Sequence, residues 1–388
     1  MPGRIVLYGA TGYMGGLVAQ EMVASGARPV LAGRNKDRLN AVASRLAQTG
    51  DGIELETAVA DTEKPEQLRQ LIGAGDVLVS TAGPFLRVGR PVVSAAADAG
   101  AVYLDSSGEP PFIRQVFEEF GPRAERTGAA LLTAMGYDYV PGNLAGALAL
   151  DAAGPTATEV QVGYFVRGNI KKGTSAGTRA SAAGVLLEPG YAFRAGRVVA
   201  ERTAAHVMSV KIRGTKREAI SIGSSEHFAL PRIRPRIVGA GDIPAQAPLK
   251  DVGVYLGWSA AATKLVHYLS GLAAPLERVK AIRRALDDEA HRIQRRRAGP
   301  AAEQAIRTDV VAVAGDASGE KLSVVHLSGR DPYSFTAPML AWAAGKALAD
   351  GVRPAGALGP VEAFGLRNLE AACADAGFHR QVAALTSR

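Results

Sequence analysis

The chain has 388 residues with a formal net charge of +8; 47% of the residues are hydrophobic and one is a cysteine. This composition excludes global disorder, an internal disulfide and a cysteine-rich metal site, and the histidines lack metal-ligand spacing, so we predict no metal. The first apolar run is too short for a signal peptide, and no stretch of about 20 uncharged apolar residues occurs. We therefore expect a soluble cytoplasmic protein without an integral membrane segment.

Strand and helix patterns alternate from the N-terminus to about residue 135. Strands are predicted at 5–8, 29–32, 53–60, 76–81, 102–105 and 129–134, and helices at 12–25, from 35, at 63–72, 91–99 and 111–127. This order predicts βαβ units in a parallel sheet with helices on both faces. Right-handed crossovers then give an α/β domain with a Rossmann-type doubly wound sheet.

The alternation ends near Gly136. Alternating, β-branched stretches between Thr158 and Val238 predict a second, α+β domain with a mostly antiparallel sheet. A helical pattern runs from Tyr255 to Arg297, and a hairpin is predicted around Asp316–Gly319. Two helices are predicted to close the chain, at 337–350 and 360–376.

A basic segment, RRALDDEAHRIQRRR, lies within the predicted helical region and carries Arg283, Arg284, Arg292, Arg295, Arg296 and Arg297. One interpretation is a solvated helix face, and the other is a docking surface for an anionic ligand or an acidic partner protein. Aromatic residues are not interleaved with these arginines, so the segment does not predict binding to nucleic acid.

The turn GATGYMG follows the first strand and opens the first helix. Its glycines would allow a tight turn, contact between backbone and a pyrophosphate, and close packing of helix on strand. The spacing is G-x-x-G-x-x-G, and the alternative is a tight turn without a ligand. The predicted dinucleotide-binding residues of this turn are Gly9, Thr11, Gly12, Tyr13, Met14 and Gly15.

The second strand is followed by LAGRNKDRL, where NAD-binding domains place an acidic residue. Arg34 occupies this position, and a guanidinium can bind a 2′-phosphate that a carboxylate would repel. We therefore predict NADP(H) as the cofactor, with Arg34, Asn35 and Arg38 in its site. The alternative is an exposed arginine at a helix start.

Two further strand ends complete the predicted cofactor site. Asp61 follows the third strand, where adenine commonly lies, or else it caps the next helix. Small residues follow the fourth strand and let the backbone pass close to the cofactor. The predicted residues there are Ala82, Gly83, Pro84 and Phe85.

With these motifs in place, the sequence resembles the saccharopine dehydrogenase-like NADP-dependent oxidoreductases. The resemblance rests on GATGYMG, AGRNKDRL, AGPFLRVGRPVVSAAADAGAVYLDSSGEPPFI and GYDYVPGNLAG, and the tail GALGPVEAFGLRNLEAACADAGF is similar to the branch that includes trans-acting enoyl reductases. It implies an NADP-binding Rossmann domain at 1–136, a substrate-binding and dimerisation domain at 137–332, and C-terminal helices at 333–388 that pack back towards the first domain. It also implies hydride transfer to a C=N or C=C bond, with the loops 81–85 and 106–109 beside the nicotinamide.

The reduction of either bond also needs a proton. The chain has no Tyr-x-x-x-Lys pair, so we consider Tyr137, Asp138 and Tyr139 as catalytic candidates and Glu109 as the next candidate, in the substrate site. The alternatives are that Asp138 caps a helix beginning near Pro141 and that the tyrosines pack in the core.

The segment KKGTSAGTRAS and a histidine supply the remaining predicted substrate contacts: Lys172, Thr174, Ser175, Arg179 and His227. The segment suits an anionic group, or else it is a capped helix start. GTSAG also matches a hydrolase nucleophile pattern, but hydrolysis would leave the dinucleotide-binding turn unexplained. For His227 the alternative is a packed or exposed histidine.

We therefore expect an NADPH-dependent reductase of an imine or enoyl bond in a small biosynthetic intermediate, free or carrier-bound. The alternative from another class is a non-catalytic NADP(H)-binding redox sensor or scaffold. A homodimer is expected because an antiparallel sheet in the second domain could pair across a two-fold axis.

Overall fold

The computed structural model describes residues 3–49, 52–167, 190–237, 248–257 and 306–381. The basic segment with its six arginines, most of the helical pattern from residue 255 to 297, and the segment KKGTSAGTRAS lie outside the described residues.

The elements of the first part of the chain alternate between strand and helix. They are β1 (Ile5–Tyr8), α1 (Tyr13–Ala24), β2 (Val30–Gly33), α2 (Lys36–Thr49), β3 (Thr57–Val59), α3 (Pro65–Leu71), β4 (Val77–Ser80), α4 (Phe85–Ala99), β5 (Val102–Asp105), α5 (Pro110–Gln115), a π-helical stretch (Val116–Phe120), α6 (Gly121–Thr127) and β6 (Ala130–Leu132).

Strands dominate the described residues that follow. The elements are α7 (Val140–Ala153), β7 (Glu159–Arg167), β8 (Tyr191–Arg194), β9 (Arg197–Ala200), β10 (Val207–Ile212), β11 (Thr215–Ser221), α8 (Glu226–Ile237), β12 (Asp251–Gly257), β13 (Arg307–Gly315), β14 (Lys321–Gly329), α9 (Pro332–Asp350), β15 (Gly356–Ala357), α10 (Pro360–Phe364), α11 (Leu366–Asp375) and β16 (His379–Gln381).

The chain divides into two compact units, one formed by residues 1–140 and 332–368 and the other by 141–331 and 369–388. In the described part of the first unit, seven strands form a sheet with the order β15-β6-β5-β4-β1-β2-β3, and every neighbouring pair is parallel. Because β1 is flanked by β2 on one side and β4 on the other, the strand order reverses there, as it does in a doubly wound sheet. The predicted α/β Rossmann-type class is confirmed.

The strands β1, β2 and β4 are buried along their whole length, as expected for parallel strands covered on both faces. Helix α9 packs against α1 and contacts β1, β4 and β5, whereas α4 packs against α3 and α6. The apolar runs that predicted these strands are therefore the core of the first unit.

Within its described residues, the second unit contains a nine-stranded sheet whose main path is β10-β11-β12-β7-β13-β14-β16. The pair β7 and β12 is parallel, and the other neighbours on this path are antiparallel. The predicted hairpin is confirmed, since β13 and β14 pair across a turn in which Asp316 Oδ1 accepts hydrogen bonds from the amides of Ser318 and Glu320. The expected mostly antiparallel sheet is confirmed as well.

Two predicted helices differ from the structure. Residues 255–257, expected to be helical, end β12, because β12 pairs residue by residue with β7. The expected helix at 360–376 is divided between α10 and α11 at Gly365, whose φ of +79° favours glycine and ends α10. Within the described ranges, none of the helices has the length and apolar character needed to cross a membrane.

Two helical glycines in the first unit predict opposite effects on stability when replaced by alanine. A Cβ at Gly89 in α4 would lie 2.7 Å from ring carbons of the buried Phe112, whereas a Cβ at Gly345 in α9 would meet nothing within 4 Å. We expect Gly89→Ala to destabilise the protein by about 1–3 kcal/mol through overpacking. We expect Gly345→Ala to stabilise it by about 0.5–1 kcal/mol through helix propensity. Urea denaturation of both variants measures this difference, and equal effects would contradict the described packing.

Candidate functional site

The glycine turn between β1 and α1 brings backbone unusually close to backbone. Gly9 has a φ of +86°, which favours glycine, and its carbonyl oxygen accepts a hydrogen bond from the Gly12 amide at 2.9 Å. A Cβ at Gly15 would lie 2.2 Å from the same carbonyl oxygen. A side chain at position 15 would therefore push α1 away from β1, so this position requires glycine.

This turn leaves the start of α1 without a side-chain cap from its own cap residue, because Gly12 occupies the N-cap position. The first backbone amides of a helix carry a partial positive charge and bind anions such as phosphates. Tyr13, the first residue of α1, is 46% exposed. The geometry fits the pyrophosphate of a dinucleotide.

The segment after β2 places guanidinium groups beside the glycine turn. Arg34 is exposed and follows the last residue of β2, Gly33. Arg38 Nη2 donates a hydrogen bond to the Thr11 carbonyl at 2.9 Å, which ties α2 to the turn. Asn35 Oδ1 accepts a hydrogen bond from the Arg38 amide at 2.9 Å and so acts as a cap for α2. Arg34 is thus exposed at the strand end where a Rossmann-type domain places the ribose of a dinucleotide, whereas Asn35 and Arg38 hold the local structure.

Asp61 lies at the edge of the same region. Its Oδ1 accepts a hydrogen bond from the Glu63 amide at 3.1 Å, in a turn that precedes the first residue of α3, Pro65. Burial raises the pKa of the Tyr8 hydroxyl, the negative charge of Asp61 raises it further, and the positive charge of Arg34 opposes this. Asp61 and Arg34 therefore both act electrostatically on Tyr8, at the carboxyl end of β1.

The loop after β4 is held by Glu109. Oε1 of Glu109 accepts a hydrogen bond from the Phe85 amide and Oε2 accepts one from the Leu86 amide, each at 2.9 Å. The 7% exposed carboxylate thus occupies the N-terminus of α4 and explains why this helix begins at Phe85 rather than at the expected Pro91. Ala82 and Gly83 precede Pro84, and the bonds Gly83–Pro84 and Asp138–Tyr139 are cis.

Asp138 differs from its two neighbours because the residue as a whole is partly exposed. Tyr137 and Tyr139 are each 4% exposed, and their amides donate hydrogen bonds to Thr336 Oγ1 and to the Ala134 carbonyl. Asp138 is partly exposed, and burial raises its pKa to about 6. Among the described residues, no charged neighbour contributes to this shift. An acid with a raised pKa can hold a proton near neutral pH and donate it.

Of the predicted substrate contacts in the second unit, His227 is the one that the structure describes, and its environment does not favour that role. His227 is 1% exposed; its Nδ1 accepts a hydrogen bond from the Ser224 amide at 3.2 Å, and burial lowers its pKa to about 3. The imidazole ring also packs edge-on against Tyr191 with 5.5 Å between ring centroids. This environment is that of a neutral, packed histidine, the alternative considered above. The remaining candidates, Lys172, Thr174, Ser175 and Arg179, lie outside the described residues.

The start of α9 reaches the same edge of the sheet, and sequence reasoning did not find it. The Tyr333 ring packs edge-on against the ring of Tyr13, with 5.4 Å between centroids. Thr336 accepts the hydrogen bond from Tyr137 described above, across 199 residues of sequence. No local pattern could have indicated these contacts, because they depend on the fold. No group of side chains suited to a metal ion occurs in the part of the chain that the structure describes.

Together, the parallel sheet, the glycine turn and the arginine after β2 define a dinucleotide-binding domain of the Rossmann type. Residues 5–133 match the family described as the saccharopine dehydrogenase NADP binding domain. The cofactor that this family indicates is NADP(H), and the residues of the turn fit it.

Relatives with assigned names are similar over part of the chain. Trans-acting enoyl reductases of Mycobacterium ulcerans and Mycobacterium tuberculosis are 39% and 38% identical over 143 and 142 residues, which is 36% of this chain and 34% of each relative. A further M. tuberculosis protein, assigned by name to the same group, is 39% identical over 185 residues, 47% of this chain and 44% of its own. The match thus spans less than half the length of these relatives.

Saccharopine dehydrogenase (L-Glu forming) from Saccharomyces cerevisiae has a similar structure, with a TM-score of 0.58 over 98% of this chain and 100% of that one. At 13% sequence identity, this likeness shows the fold alone. The comparisons confirm the resemblance drawn from the sequence and support an NADP-dependent oxidoreductase.

Replacing Gly15 by alanine tests the glycine turn. We expect Gly15→Ala to weaken NADPH binding at least about tenfold, because the new methyl group displaces α1 from the Gly9 carbonyl. Gly16→Ala is the matched control, since a Cβ there would lie 3.6 Å from the Arg45 guanidinium, an ordinary contact. Isothermal titration calorimetry measures both affinities. Equal affinities for the two folded variants would contradict the assignment.

Arg34→Asp tests the preference for the phosphorylated dinucleotide. We expect the dissociation constant for NADPH to rise about 10–100-fold, because a charge-assisted contact is replaced by repulsion. The constant for NADH should change little. Arg69→Asp, at an exposed arginine in the last turn of α3, is the control and should preserve both constants. An unchanged ratio of the two constants in Arg34→Asp would refute the role of Arg34.

Proposed function

We propose that this protein is an NADPH-dependent reductase that adds hydrogen across a C=C bond of an enoyl substrate. One observation carries the proposal: the glycine turn after β1 and the partly exposed residue Asp138, in the segment after β6, both follow strands of one parallel sheet. Because all seven strands run in the same direction, the segments that follow them all lie at the carboxyl ends of the strands, here called the carboxyl edge of the sheet. This edge thus combines a dinucleotide cradle with an acid that has a raised pKa.

In this proposal, each residue of the site has a separate role. The amides at the start of α1 and the guanidinium of Arg34 hold the phosphates of the cofactor, which supplies a hydride when it is bound. The Asp138 carboxyl donates a proton to the carbon that does not receive the hydride, and so becomes a carboxylate. The substrate thus gains one hydride and one proton, which balances the reduction of a double bond.

The choice of Asp138 over its neighbours as the proton donor rests on accessibility and pKa. The rings of Tyr137 and Tyr139 are almost entirely buried, whereas Asp138 keeps accessible surface. Its pKa of about 6 leaves a usable fraction of protonated acid near neutral pH. Glu109 is engaged at the N-terminus of α4, so we assign it a structural role instead.

The choice of a C=C bond rests on the relatives that carry the name trans-acting enoyl reductase. By that name they act in trans on an enoyl group, so a small substrate presented by a carrier is part of the proposal. Reduction of a C=N bond is the second candidate, because an acid and a dinucleotide cradle serve both reactions. Homodimerisation through the large sheet of the second unit also belongs to the proposal.

A non-catalytic NADP(H)-binding sensor is the competing function, and Asp138 separates the two. We expect stopped-flow measurements to show oxidation of bound NADPH by an enoyl thioester in a panel of enoyl thioesters and cyclic imines. Asp138→Asn should lower turnover about 10²–10⁴-fold, because the amide cannot donate the proton. Turnover of the native protein should fall as pH rises through about 6, as the acid loses its proton.

The same variant has a readout that needs no substrate. Because the folded-state pKa of Asp138, about 6, exceeds its ordinary value of 3.8, the native protein loses stability as pH rises from the lower value through the higher one. Asp138→Asn removes the contribution of Asp138 to this loss, while that of Asp105, whose pKa burial also raises to about 6, remains; thermal denaturation at several pH values measures the difference from the native protein. Asp375→Asn, at an exposed site in α11, is the control and should leave turnover unchanged. Binding of NADPH without oxidation by any compound in the panel would favour the sensor.

A further inference from the structure

Asp105, the last residue of β5, joins two loops through one buried oxygen atom. The residue is 0% exposed. Its Oδ1 accepts hydrogen bonds from the Ser107 amide at 2.8 Å, from Thr133 Oγ1 at 3.0 Å and from the Ala134 amide at 2.9 Å. Ser107 lies on the loop after β5, whereas Thr133 and Ala134 lie on the loop after β6. The carboxylate therefore fixes the positions of both loops relative to each other.

The loop after β6 bends at the residue that Asp105 holds. Ala134 has a φ of +62°, in the left-handed region that residues with a side chain rarely adopt. The backbone of Asp105 adds a second contact, since its carbonyl accepts a hydrogen bond from the Met135 amide at 2.7 Å. Two successive amides at the bend are thus bound to one residue. These bonds help to hold an alanine in a conformation that it rarely adopts.

The far ends of the two loops meet again at Asp138. A Cβ at Gly108 would lie 2.8 Å from Asp138 Oδ2, so the Asp138 carboxyl rests against the bare Cα of Gly108. The loop that carries Gly108 is itself anchored, because the Glu109 amide donates to Ser107 Oγ at 3.2 Å while the Glu109 carboxylate holds the start of α4. The position of Asp138 therefore depends on both loops.

We propose that Asp105 is a positioning residue, whose buried carboxylate holds the loops after β5 and β6 so that the Asp138 carboxyl is seated against Gly108. The relevance of this seat to catalysis rests on the proposed function, but the geometry does not. Burial raises the pKa of Asp105 to about 6, while its hydrogen bonds to Ala134, Ser107 and Thr133 oppose the rise. Near neutral pH the group is thus mainly an ionised acceptor, the form that binds these donors best.

The test compares Asp105→Ala and Asp105→Asn with the native protein, without substrate or cofactor. Carboxyl NMR titration follows Asp138, and amide hydrogen exchange follows Ala134. In Asp105→Ala we expect exchange at Ala134 at least about tenfold faster, because the amide loses its acceptor. We also expect the pKa of Asp138 to fall from about 6 towards its ordinary value of 3.8, because the released carboxyl gains water. Asp105→Asn keeps an acceptor oxygen and should restore part of both properties.

Asp76→Asn is the matched control for a loss of stability alone. Asp76 is also buried, at 8% exposure, and its carboxylate accepts hydrogen bonds from the amides of Arg4 and Gly73. It precedes β4 and so lies at the opposite edge of the same sheet. We expect this variant to be destabilised while Asp138 titrates as in the native protein.

An unchanged Asp138 titration in folded Asp105→Ala would overturn the proposal. If that variant does not fold, Thr133→Val decides, because it removes one of the three donors to Asp105 and adds no charge. It should speed exchange at Ala134 and lower the pKa of Asp138 to a smaller extent, and a native titration curve there would overturn the proposal too. If Asp105 controls the titration but Asp138→Asn retains full turnover, the positioning role stands and the proton-donor role fails.

Discussion

The close approach of Gly15 to the Gly9 carbonyl is the constraint on which the candidate site depends. A Cβ at position 15 would lie 2.2 Å from the Gly9 carbonyl oxygen, so α1 can pack this closely on β1 only if position 15 carries no side chain. This packing directs the amides at the start of α1 towards the carboxyl edge of the sheet, where a pyrophosphate can be bound without any charged side chain in the turn. The arginine after β2 then adds the feature that favours a phosphorylated ribose.

The N-termini of α1, α2 and α4 at the carboxyl edge of the sheet are capped in different ways, and these differences favour different roles for them. Gly12 has no side chain with which to cap α1, whereas Asn35 caps α2 and the Glu109 carboxylate occupies the start of α4. Of these three described helices, α1 is thus the one without such a side chain at its start, and the N-cap residue of α3, Lys64, likewise makes no side-chain cap. An anionic ligand would compete with Glu109 at α4 but not with a cap residue at α1. The same Glu109 belongs to the framework that, together with Asp105, seats Asp138 against Gly108.

The sequence predicted the first unit well, because fully buried parallel strands appear as short apolar runs separated by helical periodicity. The sequence did not predict features that depend on contacts between residues far apart in the chain. The start of α4 was expected at Pro91, but Glu109 caps it 24 residues further on, at Phe85. Tyr255 was expected in a helix, although it pairs with β7. The role of Asp105 was also missed, because its partners Thr133 and Ala134 lie 28 and 29 residues away and no local motif marks them.

The central claim is that backbone amides at the start of α1 bind the pyrophosphate of NADP(H). Amide hydrogen exchange of the unmodified protein with and without NADPH tests it most directly. The account predicts that NADPH slows amide exchange at Gly12–Gly15 and at the start of α2. The amino ends of β1 and β2, the strands that precede these segments, should exchange as before. Exchange at these residues that is unchanged at saturating NADPH would contradict the account.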